Sequence, residues 1–87
     1  MIDARREWEA ALVAAGTLVK RSEREWLFLY VEDATRKAQE MADGTGLTYM
    51  VVRKHRGRYA KWYSIMSTCP DAKTEVLATI YPEEESR

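Results

Sequence analysis

The chain has 87 residues, 46% of them hydrophobic and 32% charged, and its fourteen basic and fourteen acidic side chains give a formal net charge of zero. This composition excludes a disordered chain, and the length predicts one domain over residues 1–82 with a frayed acidic tail over 83–87. Cys69 is the single cysteine, and neither a signal-peptide pattern nor an apolar run long enough for a membrane is present, so a cytoplasmic protein without disulfides is expected.

The first segment predicts a helix over residues 4–15. Apolar residues recur there at helical spacing and would form one stripe, namely Ala4, Trp8, Ala11, Leu12 and Ala15. Asp3 precedes the stripe as a plausible N-cap, because its carboxylate can accept a backbone N–H of the first turn. Gly16 follows the stripe and predicts the end of the helix.

The next segment has two interpretations. The letters "SERE" from Ser22 match a capping box, which would begin a helix that runs to about Ala42. Against that, "WLFLYV" is a run of six apolar residues that favour strands and leave no polar face for a helix. We therefore predict a strand from about Glu25 to Val31, with residues 17–21 as a short partner strand across the Ser22–Arg24 turn.

The stretch "EDATRKAQEMADGTG" predicts a second helix of about ten residues. Asp33 is its expected N-cap, and Gly44 and Gly46 are expected to end it. Its apolar side consists of small or flexible residues, namely Ala34, Ala38, Met41 and Ala42. Such a thin face would let the helix lie close against a sheet.

From Leu47 onward the pattern is typical of sheet. Strands are predicted over 47–55 and 58–67, joined at Arg56-Gly57 by a hairpin turn of two to four residues that needs a positive φ at Gly57. A two-residue turn would place Val51 opposite Trp62 and Lys54 opposite Tyr59, and a longer turn would change the pairing.

A third strand is predicted over 74–81, after a turn at Pro70-Asp71, with Val76, Ala78 and Ile80 alternating inward. The predicted fold is therefore of the α+β class. It has an N-terminal helix, a strand or short hairpin, a second helix, and then a three-stranded antiparallel β-meander with the helices packed on one face.

The charge is unevenly distributed along the chain. From Gly44 to Pro70 there is no Asp or Glu but there are five basic residues, which leaves nine basic and fourteen acidic residues elsewhere. Lys and Arg attract phosphates, and aromatic rings stack on bases, so a basic and aromatic hairpin predicts nucleic-acid binding. The predicted contact residues are Arg53, Lys54, His55, Arg56, Arg58, Tyr59, Lys61 and Tyr63, with Tyr59 and Tyr63 as stacking platforms.

Two alternatives remain open. A solvated hairpin tip collects Lys and Arg without any partner, because such charges prevent strands of different molecules from pairing. Alternatively, the partner is a protein or nucleoprotein. In that case an acidic patch formed by Glu23, Glu25, Glu32, Asp33, Glu40, Asp43 and the tail would suit a phage-type inhibitor of a host defence nucleoprotein or nuclease, of the anti-CRISPR kind. The oligomeric state stays open, and a homodimer through an exposed sheet edge or the aromatic face would be natural for so small a core.

The sequence offers no pattern for catalysis, a metal or a cofactor. His55 is the only histidine, whereas metal-free RNA cleavage needs a second acid or base, so a solvated His55 is the preferred interpretation. One histidine and one cysteine exclude a zinc site of the usual type. The letters "DGTG" follow a helix instead of opening one, so they do not form a phosphate-binding loop. We therefore expect a non-enzymatic binding protein.

Overall fold

The computed structural model describes residues 4–22, 25–54, 56–68 and 72–83, and the side chains of the first helix from Glu7 onward. Several expectations from the sequence lie outside these residues: the Asp3 N-cap, part of the Ser22–Arg24 turn, the role of His55, Cys69, the Pro70-Asp71 turn and the tail beyond Glu83.

The described residues form two helices, five strands and one short 3-10 helix. In chain order these are α1 (Ala4–Ala15), β1 (Leu18–Lys20), β2 (Trp26–Phe28), α2 (Val31–Thr45), β3 (Tyr49–Arg53), a 3-10 turn (Gly57–Tyr59), β4 (Ser64–Met66) and β5 (Glu75–Ile80). All strand pairs are antiparallel, so the predicted α+β class is confirmed. Within the described ranges, none of the helices combines the length and the apolar character needed to cross a membrane.

The first helix has the predicted bounds, although its buried stripe is narrower than predicted. Trp8 and Leu12 are half-buried against the core, whereas Ala11 and Ala15 are exposed. The chain turns back after Ala15, where the N–H of Thr17 donates to the carbonyl of Leu12 at 2.9 Å. The helix therefore touches the rest of the protein mainly through its two large apolar side chains.

The segment after α1 is a hairpin, so the alternative of a helix starting at Ser22 is wrong. Leu18 pairs with Phe28 and Lys20 pairs with Trp26, which confirms a strand followed by a partner strand. The hydroxyl of Ser22 accepts a hydrogen bond from the N–H of Glu25 at 3.1 Å and so stabilises the turn instead of a helix. The second strand ends at Phe28 and not at Val31, because Val31 already belongs to α2.

The second helix has fifteen residues, five more than predicted. Its N-cap is Tyr30, so the predicted N-cap at Asp33 is wrong. Asp33 lies inside the first turn, where the positive end of the helix dipole stabilises its carboxylate. The helix also passes through Gly44 and ends at Gly46, whose φ of +76° allows its N–H to donate to the carbonyl of Ala42 at 2.8 Å. The first glycine was therefore wrongly predicted to end it.

The three C-terminal strands are not in meander order. The strand order is β4-β3-β5, so β3 lies in the centre and β5 crosses over to the far side of β3. Val51 pairs with Ile65 of β4 on one side and with Ala78 of β5 on the other. The central strand is consequently the one that both neighbours hold in place.

The predicted tight hairpin at Arg56-Gly57 is wrong. Ten residues separate β3 from β4, and they contain the 3-10 turn, so the strand predicted over 58–67 is reduced to Ser64–Met66. Val51 therefore faces Ile65 and not Trp62. Gly57 does have the predicted positive φ, at +65°, where it opens the 3-10 turn instead of a two-residue hairpin.

A β-bulge in the last strand overturns the inward position of Val76. The register of β3 with β5 shifts between Val51 and Val52, since Val51 pairs with Ala78 while Val52 pairs with Val76. Leu77 is thus the extra residue on β5. Val76 is 41% exposed, whereas Ala78 and Ile80 are half-buried against the core as predicted.

The core lies between α2 and one face of the strands. Its buried members are Leu18, Phe28, Ala34, Ala38, Ala42, Tyr49 and Val51. The three alanines and the half-buried Met41 form the side of α2 that faces this core, as predicted. Because α2 and the two large side chains of α1 contact this same cluster, the helices lie on one face of the sheet.

Candidate functional site

Residues 54–63 are termed here the β3–β4 connection, and residues 57–62 of it form two successive turns. The N–H of Ala60 donates to the carbonyl of Gly57, and the N–H of Trp62 donates to the carbonyl of Tyr59, both at 3.1 Å. These local bonds hold the connection in a folded shape at the end of the central strand. Its described basic side chains are all exposed, namely Lys54, Arg56, Arg58 and Lys61.

A shallow groove of about 440 Å³ opens where this connection meets the start of β5. We call it the cationic groove, and its lining residues are Arg53, Lys54, Arg56, Ala60, Lys73, Thr74 and Glu75. Four of the seven side chains are basic and one is acidic. The groove exists because β5 pairs antiparallel with β3, which places the start of β5 beside the end of β3.

The single acidic residue of the groove is bound to one of its basic residues. Arg53 and Glu75 are partners in the register of β3 and β5, and the Nε of Arg53 lies 3.3 Å from Oε1 of Glu75. Their side chains are 31% and 59% exposed, so water weakens this ion pair. Glu75 is therefore already engaged by one of the four basic side chains that line the groove.

The two tyrosines predicted to stack on bases contact other groups of the protein. Tyr63 is half-buried against the core, its backbone forms two 2.8 Å hydrogen bonds with Phe28, and the guanidinium of Arg53 lies 5.3 Å from its ring centre. The ring of Tyr59 meets that of Trp62 edge-on, with centres 5.4 Å apart and an angle of 88°. The guanidinium of Arg58 lies 5.6 Å from the ring centre of Tyr59, so each of the two tyrosine rings has a cation near one face.

The structure brings together only part of the residues predicted from the sequence. Arg53, Lys54 and Arg56 line the groove, whereas Arg58 and Lys61 are exposed on the connection outside it. The sequence interpretation missed Lys73, which lies in the groove although it is distant along the chain. Lys73 lies two residues before β5. That position predicts a place in the groove only if β5 is already known to pair with β3.

Three acidic residues of the predicted inhibitor patch have partners inside the protein. Glu25 pairs with Arg21 at 4.0 Å, and Glu40 pairs with Arg36 at 3.9 Å. The carboxylate of Asp43 accepts hydrogen bonds from the side chain of Gln39 at 3.0 Å and from the N–H of Glu83 at 2.8 Å. Partly exposed ion pairs of this length are weak, so the inhibitor alternative stays a prediction.

Within the described part of the chain, no three His, Cys, Asp or Glu side chains cluster closely enough to hold a metal ion. Comparison of the whole chain with protein-family models, with curated proteins and with solved structures gives no match. A proposal for its function therefore rests on the charges and contacts of the residues themselves.

Proposed function

We propose that the protein binds the phosphate backbone of nucleic acid through the cationic groove and the exposed basic residues of the β3–β4 connection, without catalysis. The observation that carries this proposal is the convergence of Arg53, Lys54, Arg56 and Lys73 from two separate segments on one open groove. A groove whose lining has more cationic than anionic side chains attracts an anionic ligand.

The chemistry of the groove suits phosphate groups. Guanidinium and ammonium groups are the side chains that contact phosphate oxygens most often, and each contact releases a counterion from the nucleic acid. Arg58 and Lys61 extend the positive surface along the same connection, so a strand of several phosphates would meet cations inside and beside the groove. A single phosphate would use only part of this surface.

The state of the tyrosines favours the backbone over the bases as the contacted part. Base stacking needs an accessible aromatic face, whereas the guanidinium groups of Arg53 and Arg58 lie near the rings of Tyr63 and Tyr59. Binding of this kind carries little sequence information, since phosphate contacts are the same for every sequence. The expected partner is therefore nucleic acid of any sequence.

The experiment is fluorescence anisotropy with labelled single-stranded and double-stranded DNA and RNA over a salt series from about 50 to about 200 mM. The test variant is Lys54→Gln/Arg56→Gln/Lys73→Gln. Glutamine keeps much of the side-chain length but removes the charge. A matched control is Lys20→Gln/Arg21→Gln/Arg36→Gln, which removes the same charge from β1, the turn after it and α2.

The test variant should weaken binding to duplex DNA and flatten the dependence of log affinity on log salt by about 0.9 for each phosphate that the protein no longer neutralises. The control should bind nearly as the wild type does. No binding at low salt by folded wild-type protein would overturn the proposal, as would equally weakened binding in the two triple variants. An acidic protein surface would then be the partner to seek.

A further inference from the structure

The outer side of β5 is an edge of the sheet. Within the described part of the chain, β5 pairs with β3 alone. Three of the six large apolar side chains that the described residues expose lie on β5 or directly after it, namely Val76, Leu77 and Tyr81. Edge strands usually carry charges that prevent pairing between molecules, whereas Glu75, the first residue, is the only charged residue of β5. This edge is therefore suited to pair with another strand.

The direction of the backbone groups of β5 follows from the hydrogen bonds of the strands beside it. In an antiparallel ladder, successive residues direct their N–H and C=O groups to opposite neighbours. Tyr63 exchanges 2.8 Å hydrogen bonds with Phe28 of β2, so Ser64, the next residue, directs its groups to β3. Ser64 pairs with Val52 of β3, so the backbone groups of Val52 point to β4.

The same alternation, continued across β3, identifies the outward groups of β5. Val51, the preceding residue of β3, directs its groups to β5, where it pairs with Ala78. Thr79 follows Ala78 and therefore directs its N–H and C=O away from the sheet. The C=O of Tyr81, two residues further, accepts a hydrogen bond from the side chain of Gln39 at 2.9 Å and retains a second lone pair.

The regular part of this edge is bounded on both sides. The bulge at Leu77 interrupts the alternation at one end, and at the other end the N–H of Glu83 donates to the carboxylate of Asp43 at 2.8 Å. Residues 77–81 remain between these limits, and Thr79 is the middle one. A second copy that pairs antiparallel about a two-fold axis at Thr79 uses the whole stretch. An axis one residue earlier or later would carry the pairing into the bulge or into the segment that α2 holds.

The side chains of this stretch complement each other under that symmetry. Thr79 lies opposite Thr79 of the second copy, and Leu77 lies opposite Tyr81 on each side of the axis. Leu77 and Tyr81 are 38% and 66% exposed in one chain, so each would cover apolar surface of the other. The stretch contains no charged residue, and the net charge of the chain is zero, so two copies do not repel each other. The partner that this edge fits is therefore a second copy.

The helices leave room for this pairing. Because α2 packs mainly on β3, its axis lies about 7 Å from the two-fold axis, which is one and a half strand spacings. The two α2 helices would then be about 14 Å apart, farther than the about 8–10 Å between packed helices. Glu75 would come nearest to Glu83 of the second copy, but it lies beyond the bulge and is engaged by Arg53 at 3.3 Å.

We propose that the protein forms a homodimer in which residues 77–81 of two copies pair antiparallel about a two-fold axis at Thr79. The two three-stranded sheets then join into one sheet of six strands. The inference does not rest on nucleic-acid binding, because residues 77–81 do not line the cationic groove. A strand pair of this length buries less area than a standard interface, so a dissociation constant of about 10–100 µM is expected.

The first test is sedimentation velocity of the wild-type protein at concentrations from about 5 µM to about 1 mM. The mass should rise from that of one chain toward that of two. Thr79→Lys places like charges across the axis and should weaken association at least about tenfold. Since Thr79 is exposed, the variant should keep its fold, which circular dichroism checks. A wild type that stays monomeric throughout, or a Thr79→Lys variant that associates equally well, would overturn the proposal.

The second test mixes Thr79→Lys with Thr79→Glu. Each variant alone should be largely monomeric, whereas an equimolar mixture should form a heterodimer, because opposite charges then face each other at the axis. The control is Val13→Lys, which removes apolar surface from α1, where Val13 is 47% exposed, and should leave association unchanged. A mixture that does not associate would overturn the proposal. Loss of the dimer in Val13→Lys would do so as well, since it would indicate non-specific hydrophobic contact.

The third test measures the register through disulfide formation in a Cys69→Ser background. Cα atoms of a hydrogen-bonded antiparallel pair are about 5.5 Å apart, within the range of about 4.4–6.8 Å that a disulfide spans. Thr79→Cys should therefore form a cross-linked dimer on mild oxidation. Val76→Cys should not, because two residues three positions from the axis on opposite sides are about 20 Å apart. Equal cross-linking of the two variants, or none in Thr79→Cys, would overturn the proposed pairing.

Discussion

Lys37 donates a 2.6 Å hydrogen bond to the carboxylate of Glu9, and this ion pair joins α2 to α1. The two side chains are only 17% and 14% exposed, so water screens the pair less than it screens a surface pair. The same ammonium lies 4.4 Å from the ring centre of Trp26. One cation therefore connects both helices and β2.

Removal of either partner should destabilise the protein. We expect Glu9→Gln to lower the free energy of unfolding by about 1 kcal/mol, because it leaves a poorly solvated ammonium without its anion. Lys37→Ala should cost about 2 kcal/mol, since it also removes the contact with Trp26. Thermal unfolding followed by circular dichroism measures both, at about 4–8 °C per kcal/mol for a domain of this size.

The control for this pair is Arg21→Ala. Arg21 and Glu25 are 4.0 Å apart with the Arg21 side chain 49% exposed, so its removal should change stability by at most about 0.5 kcal/mol. Comparable destabilisation in Arg21→Ala and Glu9→Gln would mean that the Lys37–Glu9 pair contributes no more to stability than an exposed ion pair does.

Two glycines at the end of α2 should respond to alanine with opposite signs. Gly44 lies inside the helix with open space where a Cβ would stand, so Gly44→Ala should stabilise the protein by about 0.5 kcal/mol. Gly46 has a φ of +76°, which an alanine adopts only with strain, so Gly46→Ala should cost about 1 kcal/mol. Urea denaturation of both variants checks this, and a gain in Gly46→Ala would contradict the position of the helix end.

Two valines that pair across β3 and β5 should differ sharply in their contribution. Val52 is fully buried, whereas Val76 is 41% exposed because of the adjacent bulge. Val52→Ala should lower the free energy of unfolding by about 2 kcal/mol, because it removes buried apolar surface and leaves a cavity. Val76→Ala should change the free energy of unfolding by no more than about 0.5 kcal/mol. Strong destabilisation by Val76→Ala would contradict the bulge, because it would mean that Val76 points into the core as the regular alternation predicts.

Local patterns were sufficient to predict the elements whose signals lie within a few residues. The bounds of α1 follow from the helical spacing of Trp8 and Leu12 and from the glycine that follows Ala15. The strand at Trp26 follows from a run of β-favouring residues without a polar face. In both cases the deciding interactions are between near neighbours in sequence, which is why the pattern is informative.

The sequence failed where distant contacts decide. The bulge at Leu77 depends on how β5 fits against β3, and the long connection before Ser64 depends on the bond between Tyr63 and Phe28. For the candidate site, the charge pattern indicated the basic residues of β3 and its connection. It could not indicate Lys73, because only the order β4-β3-β5 brings that residue to the groove.

Glu75 should act as a restraint on anion binding, because it is the acidic residue that lines the cationic groove and it engages Arg53 at 3.3 Å. Glu75→Gln removes the competing carboxylate and frees Arg53 for a phosphate. We expect several-fold tighter binding of duplex DNA at low salt, and a salt slope steeper by about 0.9 if Arg53 neutralises one further phosphate. Stability should change little, since the Glu75 side chain is 59% exposed and such ion pairs contribute little.

Anisotropy titrations of Glu75→Gln and of Glu32→Gln distinguish the release of Arg53 from the effect of a change in net charge on DNA binding. Glu32 is exposed in the first turn of α2 and does not line the groove, so its substitution removes the same charge elsewhere. Tighter binding in Glu75→Gln alone would locate the phosphate contacts beside Arg53. Equal gains in both variants would mean that the nucleic acid responds to the overall charge of the protein, and weaker binding in Glu75→Gln would mean that Arg53 needs its carboxylate partner to be held in position.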